Sequence, residues 1–200
     1  MTDNVIDISH WEDPVDFAKV SGAGISAIIA KASQGAAGVD ATYTKNKAKA
    51  APYNFLWGSY HFGTGDDVSV QVDHYLKVAQ PRPDEFVCLD FEPNPHGPTM
   101  TLSQAREFVG LFEHVTNRYP VLYGGHWLKE NLGGKKDDIL SKCPLWLAQY
   151  GPKAVLPPGW KSYALWQFTD NEQTIPGVNK TDRDRFDGTA AALKKQWPFT

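Results

Sequence analysis

What most constrains the fold of this chain is a recurrence of short apolar runs rich in β-branched and aromatic residues, each closed by Gly, Pro or polar residues. They fall at about 4–9, 25–33, 55–62, 85–92, 120–124, 145–149, 163–168 and 182–186. Their lengths are those of strands rather than helices, so the chain is expected to form eight strands. Helical patterns lie between several of them. Asp13-Pro14 offers an N-cap and first-turn proline for a segment closing at Gly22 and Gly24. Asp66 or Asp67 can cap a segment in which Val68, Val72, Tyr75, Leu76 and Ala79 share a face. Thr101-Leu102-Ser103-Gln104 fits a capping box, and Leu102, Ala105, Phe108, Val109, Phe112 and Val115 form the stripe of a helix over about 102–118. Strands alternating with helices imply a mainly parallel sheet with right-handed crossovers. Only short helical pieces fit between 124 and 145, and none is obvious between 149 and 163. The pattern therefore predicts an α/β fold, an irregular (β/α)8-like barrel with fewer than eight outer helices. An open doubly wound sheet is the weaker alternative, because neither a G-x-G-x-x-G nor a G-x-x-x-x-G-K-[ST] phosphate loop is present.

Either fold collects its ligand site at the carboxyl ends of the strands. There the sequence places acids. Asp90 and Glu92 close the run Phe86-Val87-Cys88-Leu89, two residues apart and so on one side of a strand. The first strand supplies Asp7, and the last supplies Asp182 or Asp184. In a closed barrel the first and last strands are neighbours, so Asp7 and Asp182 meet and the site becomes an acidic cup. Clustered carboxylates raise one another's pKa, which lets one stay protonated as a general acid. Glu92 is the preferred acid, being outermost with the longer side chain. Taken singly, Asp182 or Asp184 could simply pair with Arg183 or Arg185.

Aromatic residues crowd the same strand ends: Trp11, Tyr60, Phe62, Tyr123, Trp127, Trp146, Tyr150 and Trp166. Flat rings with polar tips suit sugars, whose C–H faces are apolar and whose edges need hydrogen bonds. Tyr60, Phe62, Tyr123, Trp127, Trp146 and Tyr150 are expected to bind substrate. Gln167, a polar residue between Trp166 and Phe168, is expected to be a cleft-facing donor to it.

Other chemistries fit less well. The net charge of -3 and scattered basic residues leave no footprint for nucleic acid. No apolar run approaches a membrane span, and the N-terminus lacks a basic segment followed by a long apolar one, so neither a membrane partner nor a signal peptide is expected. Cys88 and Cys143 are expected to be buried thiols rather than a disulfide. The six histidines lack H-x-x-x-H or H-E-x-x-H spacing, and Phe186 stands where a calcium loop beginning at Asp182 needs an oxygen. No metal or cofactor is expected. With no G-x-S-x-G elbow, nucleophilic acyl transfer is disfavoured. A single catalytic domain over 1–200, acting as a monomer, accounts for the composition.

The residues resemble the family 25 glycoside hydrolases, lysozymes of the Chalaropsis type. The similarity runs from the opening D-x-S-x-W (Asp7, Ser9, Trp11) through Lys31-Ala32-Ser33-Gln34-Gly35, Gly58-Ser59-Tyr60-His61-Phe62 and Leu89-Asp90-Phe91-Glu92. It continues through Pro144–Tyr150 and Leu165-Trp166-Gln167-Phe168 to the late D-x-[ND]-x-F at Asp182, Asp184 and Phe186. The resemblance implies hydrolysis of the β-1,4 bond between N-acetylmuramic acid and N-acetylglucosamine in bacterial peptidoglycan. Carried over, Glu92 is the general acid, Asp90 its partner carboxylate, and Asp7 and Asp182 the other acids. Two departures stand out: Lys31-Ala32-Ser33-Gln34-Gly35 replaces the more usual K-A-T-E-G, and Asp184 stands where Asn is common. Cys88 occupies the place of a further Asp in chitinases, which argues against that group. The alternatives are an inactive glycan-binding barrel and a glycosidase acting on another amino sugar polymer. Without a visible export signal, a lysozyme of this kind fits a phage lysin, a protein exported by another route, or a processed secreted chain.

Overall fold

The computed structural model describes residues 1–199, and of 171–173 the backbone only. Nine strands form along the chain: β1 Thr2–Ile8, β2 Ala27–Gln34, β3 Gly38–Val39, β4 Leu56–Phe62, β5 Phe86–Asp90, β6 Val121–Gly124, β7 Leu145–Ala148, β8 Leu165–Ile175 and β9 Val178–Phe186. Eight are the expected runs. The ninth, β3, is a two-residue hairpin partner at the end of β2. The sheet runs β1-β9-β8-β7-β6-β5-β4-β2, and parallel pairing of β1 with β2 closes it into a barrel. Only β9 runs against its barrel neighbours, antiparallel to both β8 and β1.

Six helices accompany the strands: α1 Phe17–Gly22, α2 Tyr43–Ala50, α3 Val68–Ala79, α4 Leu102–Thr116, α5 His126–Leu132 and α6 Ala190–Gln196. Asp67 caps α3 by accepting from Val70 N–H, and Thr101 with Gln104 closes the expected capping box on α4. The α4 stripe is shorter than the sequence suggested, since Val115 is exposed in the last turn. The start of α1 also differs. Asp16, not Asp13, accepts the Lys19 N–H as N-cap, while Asp13 pairs with Lys45 at 2.8 Å. α2 and α6 escape the sequence pattern because each buries few apolar side chains.

Strand alternation sorts the apolar residues into two layers. Inward-facing Val5, Ala27, Ile29, Phe86, Cys88, Val121, Leu165 and Phe186 fill the barrel, and Leu193 and Trp197 at the chain's end pack with them. Outward-facing Ile28, Ala30, Val87 and Leu89 meet Val72 and Tyr75 of α3 and Phe108 and Phe112 of α4. Burying each such side chain stabilises the fold by about 1.5–3 kcal/mol. Both cysteines are buried free thiols.

Gly177 anchors the tip of the β8–β9 hairpin. Its φ is 98°, and a Cβ there would stand 2.4 Å from the Asp16 carbonyl oxygen. Its own carbonyl accepts the Asp16 N–H at 2.8 Å. Only glycine fits this approach.

Candidate active site

Register brings the acids together. Asp7 of β1 lies opposite Asp182 of β9, and Asp184 lies between Val5 of β1 and Gln167 of β8. Because Asp182 and Asp184 are two apart, both point into the barrel, while Arg183 and Arg185 point out. Arg185 grips the Asp3 carboxylate at 2.6 Å through two N–H groups. Arg185 is thereby committed to Asp3, and the charge of Arg183 only partly offsets the burial of Asp184. Asp90 ends β5, where its carbonyl still accepts the Gly63 N–H at 2.9 Å, and Glu92 follows in the loop.

Asp7, Asp90, Glu92 and Asp182 line one small well with Tyr60, Tyr123, Trp146 and Gln167, enclosing about 110 Å³. Asp184 sits fully buried, accepting the Trp146 indole N–H at 2.6 Å. Two larger clefts open nearby. One, of about 440 Å³, shares Glu92 with the well and is lined by Lys129, Gln149 and Tyr150. The other, of about 480 Å³, is lined by His10, Lys31, Gln34 and Asp40.

Gln167 organises the well. Its amide N–H groups donate to Asp7 at 2.9 Å and Asp182 at 3.3 Å, and its carbonyl accepts from Tyr123 at 2.8 Å and Tyr150 at 3.1 Å. Expected to face the cleft, it lines the well as a buried residue, with its amide N–H groups on the two acids. Trp146 also lines the well. It is buried, its N–H goes to Asp184, and its ring meets that of Tyr123 in a T-shaped contact with centroids 4.6 Å apart. Tyr60 and Tyr123 line the well, and half-exposed Tyr150 stands at the mouth of the adjoining cleft. Phe62 lies under the Lys31 ammonium, 5.0 Å from its ring centroid, and Trp127 packs against the outer core. Neither is among the residues that line the well or the two clefts. Among the described residues no group of His, Cys, Asp and Glu is arranged to hold a metal ion.

Burial dominates the electrostatics of the well. It pushes Asp7 far above the usual carboxylate range, with Asp182 and Asp184 adding to the effect. It raises Asp184 to about 8, again with help from the charge of Asp182. Asp90 is raised by burial and by Glu92, and held back by Lys31; Glu92 is raised by burial and by Asp182. The well thus keeps protons that isolated carboxyls release in weak acid. Such a site holds a proton donor beside a carboxylate, the pair that glycosidic bond cleavage requires.

A closed β/α barrel with this acid-walled well at the strand ends is a glycoside hydrolase. Its family follows from comparison: the family described as Glycosyl hydrolases family 25 matches residues 6–178, and the chain belongs to it. Lysozyme M1 of Streptomyces globisporus is 27% identical over 94% of this chain and 69% of its own length. The N,O-diacetylmuramidase of Chalaropsis sp is 28% identical over 82% of this chain and 86% of its own. The bacterial lysozyme of Streptomyces coelicolor superposes with a TM-score of 0.85 at 27% identity, covering 94% of both chains.

Proposed function

We propose that the chain is a lysozyme, a β-1,4-N-acetylmuramidase that cuts between N-acetylmuramic acid and N-acetylglucosamine in bacterial peptidoglycan. The observation that carries this reading is the position of Glu92, shared between the acid well and the cleft beside it. A general acid must reach the oxygen that bridges two sugars, and a carboxyl on the border of two binding spaces does so. At about 110 Å³ the well is smaller than the roughly 300–1,000 Å³ of a pocket that takes a whole ligand. It therefore receives one part of a sugar, and the neighbouring rings lie in the clefts.

In this mechanism Glu92 protonates the glycosidic oxygen as the bond breaks and then activates water. Asp90 stabilises the positive charge at the anomeric carbon by orienting the substrate's own 2-acetamido group, whose oxygen closes on that carbon as an internal nucleophile. Asp7 and Asp182, fixed by Gln167, complete the acidic wall. One barrel domain performs the reaction without a metal or cofactor, and its place of action is the bacterial wall. Support comes from the family and from relatives named as lysozymes and muramidases.

Mass spectrometry of fragments released from purified peptidoglycan tests the reading. New N-acetylmuramic acid reducing ends are expected. New N-acetylglucosamine ends would identify a glucosaminidase, and binding without cleavage from acidic to neutral pH would identify a glycan-binding barrel.

A further inference from the structure

Asp90 and Glu92, two residues apart, both line the well, and only one distribution of proton and charge is productive under the proposed function, on which this inference rests. Glu92 must hold the proton and Asp90 the charge. Burial alone favours the reverse, because Asp90 is enclosed at the strand end whereas Glu92 is partly open to the adjoining cleft. Something must oppose it.

The groups around the pair are nearly all acidic or neutral. β1 presents Asp7, β9 presents Asp182 and Asp184, and β4 and β6 present the hydroxyls of Tyr60 and Tyr123. Lys129, in the cleft on the Glu92 side, donates to Gln149, and the charge acting on Glu92 is that of Asp182. On the Asp90 side stands Lys31 of β2. Its ammonium lies over Phe62, the register partner of Asp90, and donates to the Gln34 amide oxygen at 2.8 Å. Among the described residues it has no carboxylate within ion-pair distance. Asp40, across the cleft, is engaged by His10 at 2.9 Å and Thr42 at 2.7 Å, and Asp66 by Thr64 at 2.9 Å and the Ala36 N–H at 3.0 Å. A neutral amide thus holds the lysine in place, and its charge acts on Asp90 first and on Asp40 second.

We propose that Lys31 assigns the roles of the acidic pair: fixed by Gln34 rather than by an ion pair, its ammonium keeps the charge on Asp90 and leaves the proton to Glu92. Lys31 is a positioning residue, acting through Asp90. Asp182 acts in the same sense from the other side, because its negative charge favours the protonated form of Glu92.

The test is the pH profile of kcat and KM on purified peptidoglycan for Lys31→Met, Lys31→Arg and Gln34→Glu. Without the ammonium Asp90 ionises less readily, so the window in which the pair carries one proton moves to higher pH and fewer molecules hold that proton on Glu92. Lys31→Met is expected to move the acidic limb up by about half a unit or more and to lower the maximal kcat about tenfold, with KM little changed. Lys31→Arg retains the wild-type limb. Gln34→Glu neutralises the ammonium without removing it and moves the limb in the same direction, which keeps the test decisive if Lys31→Met folds poorly. Limbs unmoved in both Lys31→Met and Gln34→Glu, or a change confined to KM, overturn the inference. Failure of the underlying reading shows separately: Glu92→Gln would then retain full activity.

Discussion

Replacing Asp184 by Asn is expected to remove much of a pH-dependent weakness in the fold. Asp184 is fully buried, and its carboxyl is raised from an ordinary 3.8 to about 8. Between those values the folded protein holds a proton that the unfolded chain has released. Rising pH therefore favours unfolding: the stabilising effect of the protonated group is complete below about 3.8 and is lost as pH rises toward 8. From 3.8 to pH 7 is about three units, each worth about 1.4 kcal/mol, so an isolated Asp184 would weaken the fold by about 4 kcal/mol across that span. Its titration is linked to those of Asp7 and Asp182, which spreads the effect, so relief of about 2 kcal/mol is expected from Asp184→Asn. Asparagine keeps an oxygen for the Trp146 N–H, so the geometry survives. For a chain of this size that relief is a Tm gain of about 4–8 °C at pH 7–8, shrinking toward zero at pH 4. Thermal melts of both proteins from pH 4 to 8, in one buffer series at constant ionic strength, measure it. Parallel curves, or a variant less stable than wild type at pH 8, would refute the argument.

Glu92→Gln should fold with a Tm at neutral pH no lower than wild type, because its raised carboxyl weakens the fold there, and lose about 10²- to 10⁴-fold in kcat on peptidoglycan, the usual range for a lost general acid. Activity should decline as pH rises through the raised value of Glu92. Asp182→Asn removes one of the two causes of that rise, so the basic limb should move to lower pH, read from kcat against pH. Gln167→Leu strips Asp7, Asp182, Tyr123 and Tyr150 of a shared partner. It should destabilise the protein by about 2–3 kcal/mol in denaturant titrations at neutral pH as well as reduce turnover.

The barrel was legible because its strands are short, β-branched and bounded by breakers, a pattern that survives without context. Helices α3 and α4 were legible for a similar reason, since each carries a cap and a continuous apolar stripe. α2 was not, as Tyr-Thr-Lys-Asn-Lys-Ala-Lys-Ala shows hardly any stripe and is held by Tyr43 and Ala50. The acidic cup could be anticipated because i, i+2 spacing and barrel closure are rules of geometry. The behaviour of Gln167 and Trp146 could not. Whether a polar side chain serves ligand or neighbours depends on which atoms the register brings within 3 Å, and sequence holds no distances. Lys31 was visible only as part of a motif, because the role proposed for it depends on which groups the fold brings near its ammonium.

The closing strand has a kinetic consequence. Asp90 and Glu92 are complete once the first half of the chain exists, but Asp182 and Asp184 arrive only with β9, which pairs with residues near the opposite end of the sequence. Contacts so distant along the chain form late, because loop-closure entropy opposes them until most of the structure is in place. A growing or half-folded chain therefore holds the acid pair without the wall around it. Under the proposed mechanism the full acidic wall waits for β9 to pair with β1, so activity is expected to report closure of the barrel.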